Sequence, residues 1–442
     1  MKNLQKADKE IYQLYKKELK RQQETLSLIP SENIISNSIK EIIGSHLSNK
    51  YAEGYPNKRY YQGMEFVDKI ETLACNRAQE LFKVPYANVQ PYSGSIANLE
   101  AYLSIINPQD KIMGLNLTSG GHLTHGSPAS FTSKIFKAIN YDVDQNGKLD
   151  YKKIEHLAIK EKPKVIIAGT TAYSKIIDWK KFANIAKKVD AYLVADISHI
   201  AGLIVGNVYP SPVNFADIVT TTTHKTLRGP RGAIIMVTKK GLKSHPDLIE
   251  KVKKTVFPSM QGGPHINIIA GIAVALKEAS SQQFKNYAKH VINNSKILCS
   301  ELKKYGFNII SQTTESHLIL IDLRNKNIIG NLASEALEFV NIVTNKNSIP
   351  FDPNPPFYPS GLRLGTPSIT TRSLKEKDMK LLAKLINQTI EIIKTEKAKQ
   401  KLSFEDEKKK DIRTKIIFNS KSKLLKIKKQ VIKLAKKYPI KL

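Results

Sequence analysis

The chain has 442 residues, 41% of them apolar, which supports a sizeable core and more than one domain. No apolar run reaches the ~18 residues of a membrane-spanning helix, and two cysteines without CxxC spacing exclude a disulfide framework and a cysteine-based metal site, which fits a reducing cytoplasm. The formal net charge of +31 raises nucleic-acid binding, but the lysines are dispersed among abundant isoleucine and asparagine, without zinc-finger spacing, an RRM signature or a basic aromatic stripe, so composition explains the charge better than a nucleic-acid partner does.

The N-terminal stretch lacks the apolar core of a signal peptide and predicts an amphipathic helix with Ile11, Leu14, Tyr15 and Leu19 on one face. Residues Met64–Phe82 predict a second, with Phe66, Ile70, Leu73 and Leu81 sharing a face. Four apolar runs then predict strands: Lys164–Gly169, Ala191–Asp196, Asp217–Thr223 and Ala233–Thr238. The helical pattern WKKFANIAKKV lies between the first two, which indicates α/β organisation with at least part of the sheet parallel. Asn267–Ser280 predicts a long apolar helix that could bridge to a second domain, a smaller α+β region with strands near FNII and HLILIDL. EDEKKKD, Glu405–Asp411, predicts a charged linker or loop within the C-terminal tail. From Lys394 to Leu442 there are 18 Lys plus Arg against 5 Asp plus Glu, and Leu424, Ile427, Val431 and Leu434 recur at helical spacing, so a docked helix with a solvated basic face is expected.

Ligands of parallel α/β sheets gather at the carboxyl ends of strands. Three such ends carry reactive side chains: AYLVAD ends in Asp196 with His199 three residues on, DIVTTTT leads into His224 and Lys225, and NVQP leads into Ser93, Gly94 and Ser95 at the start of a helix. Singly each has a plain explanation, as a helix cap, a solvated lysine or a tight turn. Together they fit one ligand: a helix N-terminus for a phosphate, a carboxylate for a pyridinium nitrogen, and an amine for an aldehyde. Those three groups describe pyridoxal 5'-phosphate.

The segment VTTTTHKTLRGPRG resembles the cofactor-lysine signature of the serine hydroxymethyltransferase family. Nine further blocks resemble that family in the same order: LIPSENI, NKYAEGYPNKRYYQG, YANVQPYSGSIANLEAY, GGHLTHGSP, AYSKIIDW, ADISHIAGLIVG, FPSMQGGP, VNIVTNKNSIP and SGLRLGTPSIT, together covering roughly residues 25 to 375. The resemblance implies a fold type I (aspartate aminotransferase-like) architecture: an N-terminal helical arm over 1–30, a large cofactor-binding α/β domain with a mostly parallel sheet over 31–280, and a smaller α+β domain with the basic tail over 281–442. It implies a cytoplasmic homodimer with shared active sites.

Residue by residue, the resemblance implies that Lys225 forms a Schiff base with the cofactor, Asp196 bonds its ring nitrogen, and His122 stacks on the ring. Ser93, Gly94, Ser95 and His224 would hold the phosphate, with Gly262 and Gly263 reaching it from a neighbouring subunit. Thr171 and His199 would contact the cofactor or substrate, and hydroxyls of Thr222 and Thr223 would lie beside them. Arg363 would clamp the substrate carboxylate, assisted by Ser31. Glu53 would be the general acid/base, raised in pKa by burial, with Tyr51 and Tyr61 lining the site. Tyr60, Leu117, Gly121, Leu123 and Asn347 would form the folate pocket. Arg231 would steady the lysine loop through hydrogen bonds; Arg228 has no assigned role. No metal is implied.

The sequence departs from the family pattern at Gln62, Ser198, Thr171, Ala233 and Ser259, and the charged stretch around Lys399–Lys423 has no matching counterpart. The expected reaction converts L-serine and tetrahydrofolate to glycine and 5,10-methylenetetrahydrofolate, with folate-independent aldol cleavage of β-hydroxy amino acids as a side activity. The rivals are a folate-independent aldolase of the same fold and a basic RNA-binding protein that keeps the fold.

Overall fold

The computed structural model describes residues 2–441. Its central sheet has seven strands: β1 (Tyr86–Asn88), β2 (Lys111–Leu115), β3 (Lys137–Tyr141), β4 (Val165–Gly169), β5 (Tyr192–Asp196), β6 (Ile218–Thr222) and β7 (Ala233–Val237). The order is β1-β7-β6-β5-β4-β2-β3, and only β7 runs antiparallel to its neighbours. The four apolar runs expected to be strands are β4 to β7, each within one residue at either end. Every residue of β4, β6 and β7 is buried, which is why they read as continuous apolar runs rather than alternating ones. This is the expected α/β architecture with a mostly parallel sheet.

A smaller antiparallel sheet follows, in the order β8-β9-β11-β10: β8 (Asn308–Ile309), β9 (Leu318–Asp322), β10 (Asn345–Asn347) and β11 (Gly361–Gly365). One apolar core lies between residues 52 and 292, and another joins Leu26 and Leu28 to residues 298–435. The helix expected to bridge them does not. Helix α4 (Ile266–Ala279) stays in the first core, packed on α2 (Glu65–Phe82). The next helix, α5 (Gln282–Lys304), makes the passage: Phe284, Tyr287 and Val291 lie in the first core, Leu298, Cys299 and Leu302 in the second.

The buried face of α2 also differs from the expected one. Val67, Glu71, Ala74, Ala78 and Phe82 point inward, while Phe66 is 69% and Leu73 44% exposed. Small residues at 74 and 78 let α4 approach closely, and Glu71 is drawn inward by an arginine described below. The Phe66–Leu73 stripe therefore faces away from the chain's own core. Helix α1 (Lys9–Glu24), capped by Asp8, likewise buries no residue and leaves Ile11 and Leu14 exposed.

The charged stretch is a loop with one short helical turn, Asp406–Lys408, that leads into the next helix. Glu407, inside EDEKKKD, is fully buried, ion-paired with Lys397 of helix α6 (Glu376–Lys399), and accepts the Ile329 N–H at 2.9 Å. Arg413 of α7 (Lys410–Asn419) pairs with Glu335 at 2.8 Å. Helix α8 (Lys421–Lys437) docks through Leu424, Ile427, Val431 and Leu434, the face its spacing predicts.

One buried acid has a measurable consequence. Glu100, on helix α3 (Gly94–Leu103), is fully buried, and neither carboxyl oxygen has a hydrogen-bond partner among the described residues. Burial pushes its carboxyl up to about 8. Below pH ~4.5 it is protonated in the folded and unfolded chain alike; as pH rises to about 8 only the unfolded chain ionises freely, so stability falls across that window, by at most about 5 kcal/mol. Glu100→Gln is expected to flatten the decline, so its thermal midpoint gains on wild type between pH 5 and pH 9. Parallel declines would show that Glu100 does not govern it.

Candidate active site

The carboxyl ends of β4, β5 and β6 converge on Asp196. Its Oδ2 accepts Asn98 Nδ2 at 2.9 Å and His125 Nε2 at 3.0 Å, and its Oδ1 accepts the Ser198 N–H at 3.0 Å. The His125 tautomer follows from its other contact: Nδ1 accepts the His122 N–H at 3.2 Å, so the proton lies on Nε2 and is donated to Asp196. Asn98 is itself fixed, donating to Thr124 Oγ1 at 2.8 Å and accepting from Thr220 Oγ1 at 2.6 Å. Burial pushes the Asp196 carboxyl up, but His125, His122 and Lys225 outweigh it and hold the group well below the usual carboxylate range. Gly169 at the end of β4 permits this approach, since a Cβ there would lie 2.7 Å from the Asp196 Cβ.

Lys225 follows β6. It is 8% exposed and makes no hydrogen bond or ion pair through Nζ among the described residues. Burial lowers its ammonium to about 8, with Asp196 opposing and Arg363 and Arg231 adding to the shift. A buried amine beside an ionised Asp, brought near neutrality, is poised as a nucleophile. The Lys225 carbonyl is held by Asn33 Nδ2 at 2.9 Å and by the Arg228 N–H at 3.1 Å.

Around this pair, His122 and His224 are lowered by burial to about 4 and about 3. His199 stacks on His317 across the two sheets, with ring centroids 5.4 Å apart and Nδ1 to Nε2 at 3.2 Å; burial holds both rings below their ordinary range. Arg363 of β11 donates to Thr171 O at 2.5 Å and Asn345 Oδ1 at 3.2 Å but has no carboxylate partner among the described residues; burial lowers it to about 10. Gly365 lets Pro30 approach β11, which brings Ser31 to the strand that carries Arg363.

Several of the expected contact residues already bond within the chain. Thr171 gives its hydroxyl proton to Gly121 O at 2.8 Å, and Thr223 gives its own to Pro230 O at 2.5 Å. Ser93 caps α3 through Ile96 N, leaving the Gly94 and Ser95 N–H groups without acceptors among the described residues. Thr222 directs Oγ1 toward Ser198 O at 3.5 Å, and its methyl lies where a Cβ on Gly94 would fall. Arg231 corrects the sequence reading: it is exposed and makes no hydrogen bond among the described residues, so it acts on the loop by charge alone. Ser198, a departure from the family pattern, accepts the Thr222 N–H at 3.0 Å and ties β5 to β6.

A second group of expected residues assembles elsewhere. Glu53 Oε1 accepts Tyr51 OH at 3.1 Å, and a Cβ on Gly262 or Gly263 would lie 3.1 Å from Glu53 or from the Tyr51 ring. Tyr61 packs edge-on to Tyr51 at 5.2 Å; Tyr60, 73% exposed, packs on Phe257 at 5.7 Å. No hydrogen bond or ring contact joins this group to Lys225 among the described residues. The backbone around Glu53 is clamped by a side chain that sequence reasoning missed. Arg59 Nη1 donates to Ala52 O and Gly54 O, both at 2.8 Å, and Arg59 is anchored by Glu71 at 2.6 Å and Asp68 at 2.9 Å. Gln90 Nε2 bonds both Gly54 O and Glu71. Leu117 and Leu123 are partly exposed, and Asn347 lies on β10 opposite Gly361.

The serine hydroxymethyltransferase family model matches residues 4–386. The chain belongs to this family. The serine hydroxymethyltransferase of Francisella tularensis subsp. novicida (strain U112) is 51% identical over 384 residues, 87% of this chain and 91% of that protein, and those of subsp. tularensis strains WY96-3418 and FSC 198 give the same figures. The chain is thus an enzyme, a transferase of one-carbon and glycine metabolism with a fold type I architecture.

Family membership implies pyridoxal phosphate, and the residues present fit it: a buried amine without a partner, a buried carboxylate held ionised, free N–H groups at a helix start, and His224 Nδ1 without a hydrogen-bond partner. Nδ1 or Nε2 atoms of His122 and His125 and an Asp196 oxygen also lie within 4.8 Å of one another, a donor set a metal could use. The Asp196 oxygens are already turned to Asn98, His125 and Ser198, an arrangement suited to a protonated ring nitrogen. His125, Asn98 and His317 went unassigned in the sequence; His125 stands in the quoted GGHLTHG block and could have been found there.

Proposed function

We propose that the chain converts L-serine and tetrahydrofolate to glycine and 5,10-methylenetetrahydrofolate, with Lys225 bonding the cofactor aldehyde. Bound there, pyridoxal phosphate supplies an electron sink for the substituents of the amino-acid Cα. Asp196, kept ionised by His125, holds a proton on the ring nitrogen. His122 covers the ring, Gly94, Ser95 and His224 receive the phosphate, and His199 faces the substrate side. Near pH 8 a fraction of the free Lys225 amine is uncharged, the form that could bond the cofactor aldehyde. Arg363, with Ser31 beside its strand, receives the serine carboxylate, which replaces the anion its guanidinium lacks. The single observation carrying this reading is the partnerless, buried Lys225 beside an ionised Asp196.

The second group of residues belongs to a neighbouring copy. Glu53 would hold or release the proton at the serine hydroxymethyl oxygen, Tyr51 and Tyr61 would line the site, and Gly262 and Gly263 would close on the phosphate. Tyr60, Leu117, Gly121, Leu123 and Asn347 would hold the folate ring. Support comes from the assembly of Glu53, Tyr51, Tyr61, Gly262 and Gly263 apart from Lys225 and from apolar side chains the chain leaves open at Ile11, Leu14, Phe66 and Leu73, which a second copy would cover. We place the boundary between the two domains within α5 rather than at 280. No helix of the described residues is long and apolar enough to cross a membrane, and both cysteines are free, which suits a reducing cytoplasm.

Serine cleavage assayed with and without tetrahydrofolate tests the reaction. Strong dependence on tetrahydrofolate is expected, with slow aldol cleavage remaining without it; full activity without folate would favour the aldolase reading. Arg363→Lys is expected to raise KM for serine by roughly tenfold to a hundredfold, since an ammonium cannot form the paired bonds of a guanidinium. Cofactor absorbance should persist, and an unchanged KM would remove Arg363 from carboxylate binding.

A further inference from the structure

Arg228 lies three residues after Lys225, and beyond its backbone N–H, which bonds the Lys225 carbonyl, its side chain takes no part in the site above. Its backbone sits in the left-handed region, at φ +65°, a conformation that strains a side-chain-bearing residue. Its guanidinium rests over the rings of Tyr287 and Phe284, 4.9 and 5.7 Å from their centroids. It donates to no acceptor among the described residues, and its Nε is sealed from solvent without a partner. A guanidinium held in a strained loop with none of its donors satisfied is poised for an acceptor from outside the chain.

The space in front of it is suited to one. Arg228 lines a cavity of about 720 Å³ together with Arg372, Lys437 and Lys441. Glu278 is the one carboxylate among the lining residues and forms no ion pair with Arg228. Arg372 contributes charge but no free donor. Its Nε bonds Tyr438 O, its Nη1 bonds Gln22 O and Thr25 O, and its Nη2 bonds Gln23 O and Ala435 O. The far wall is the C-terminal segment, pinned by Gln23 on both polar groups of Ile440 and by Lys40 on Lys441 O. That wall lies beyond residues 4–386, the part matched to the family, so this chain's tail completes the cavity.

We propose that this cavity is a binding site for a small organic phosphate, its phosphoryl oxygens on Arg228 and the flanking ammonium groups of Lys437 and Lys441. A guanidinium fork flanked by point charges matches a phosphoryl group, and the volume is that of a metabolite site. Apolar wall residues such as Ile34 and Pro439 suit the body of a monoester rather than a bare ion.

Calorimetric titration tests it on the cofactor-loaded enzyme saturated with glycine, so that the cofactor phosphate site and Arg363 are engaged and no turnover is read. The probes are inorganic phosphate and phenyl phosphate at constant ionic strength. One saturable site per chain is expected, tighter for phenyl phosphate, and weakened by at least about tenfold in Arg228→Ala. The double variant Lys437→Glu/Lys441→Glu, confined to the exposed tail, should weaken it similarly and keeps the test open if Arg228→Ala fails to fold. No saturable binding up to about 10 mM, or binding unchanged in the folded variants, would overturn the assignment.

Discussion

Replacing Lys225 with methionine is expected to abolish the visible absorbance of the bound cofactor and to lower turnover by about ten-thousand-fold or more, as removal of a covalent nucleophile does. Methionine keeps the length of the stem, so the change isolates the amine. The same variant should be more stable than wild type when both lack cofactor. The unfolded lysine titrates near 10.5 and the folded one near 8, so as pH falls between those values the unfolded chain takes up the proton first. The folded protein loses stability across that window, and below it the buried ammonium costs about 3 kcal/mol. Thermal midpoints of the cofactor-free proteins at pH 7 should show the variant above wild type, with the gap closing toward pH 10.5. A variant with normal turnover would dismiss Lys225 as the reacting amine.

Replacing Glu53 with glutamine is expected to lower turnover of serine with tetrahydrofolate by about a hundredfold to ten-thousand-fold, the usual contribution of a positioned acid or base. The shape of the loop should survive, because Arg59 and Gln90 hold the backbone carbonyls of Ala52 and Gly54 rather than the Glu53 side chain. Cofactor absorbance and glycine binding should therefore stay near wild type. Near-normal turnover would assign the proton transfer to another group.

The strands and the lysine loop were legible because their cause is local. Strands buried on both faces leave unbroken apolar runs, and the chemistry stands at their ends, as at Asp196 and Lys225. What the sequence hid depends on partners distant along the chain. The inward face of α2 was missed because Arg59 draws Glu71 inside, against the rule that acids face water, while Phe66 and Leu73 face outward. Glu407 reads as part of a solvated run until Lys397 is seen to meet it. The His199–His317 stack joins two sheets 118 residues apart, a contact no local pattern encodes. Arg231 was given loop hydrogen bonds that it does not make among the described residues, whereas Arg228, left without a role, faces the basic cavity.

The central claim is that each active site takes Lys225 from one chain and Glu53 from another. It is tested by purifying a heterodimer of one Lys225→Met chain and one Glu53→Gln chain, each distinctly tagged, and assaying tetrahydrofolate-dependent serine cleavage. In a shared arrangement one site carries both substitutions and the other neither, so activity should recover to about half of wild type per dimer, far above either homodimer. A heterodimer as inactive as its parents would contradict the account and place both residues of each site on one chain.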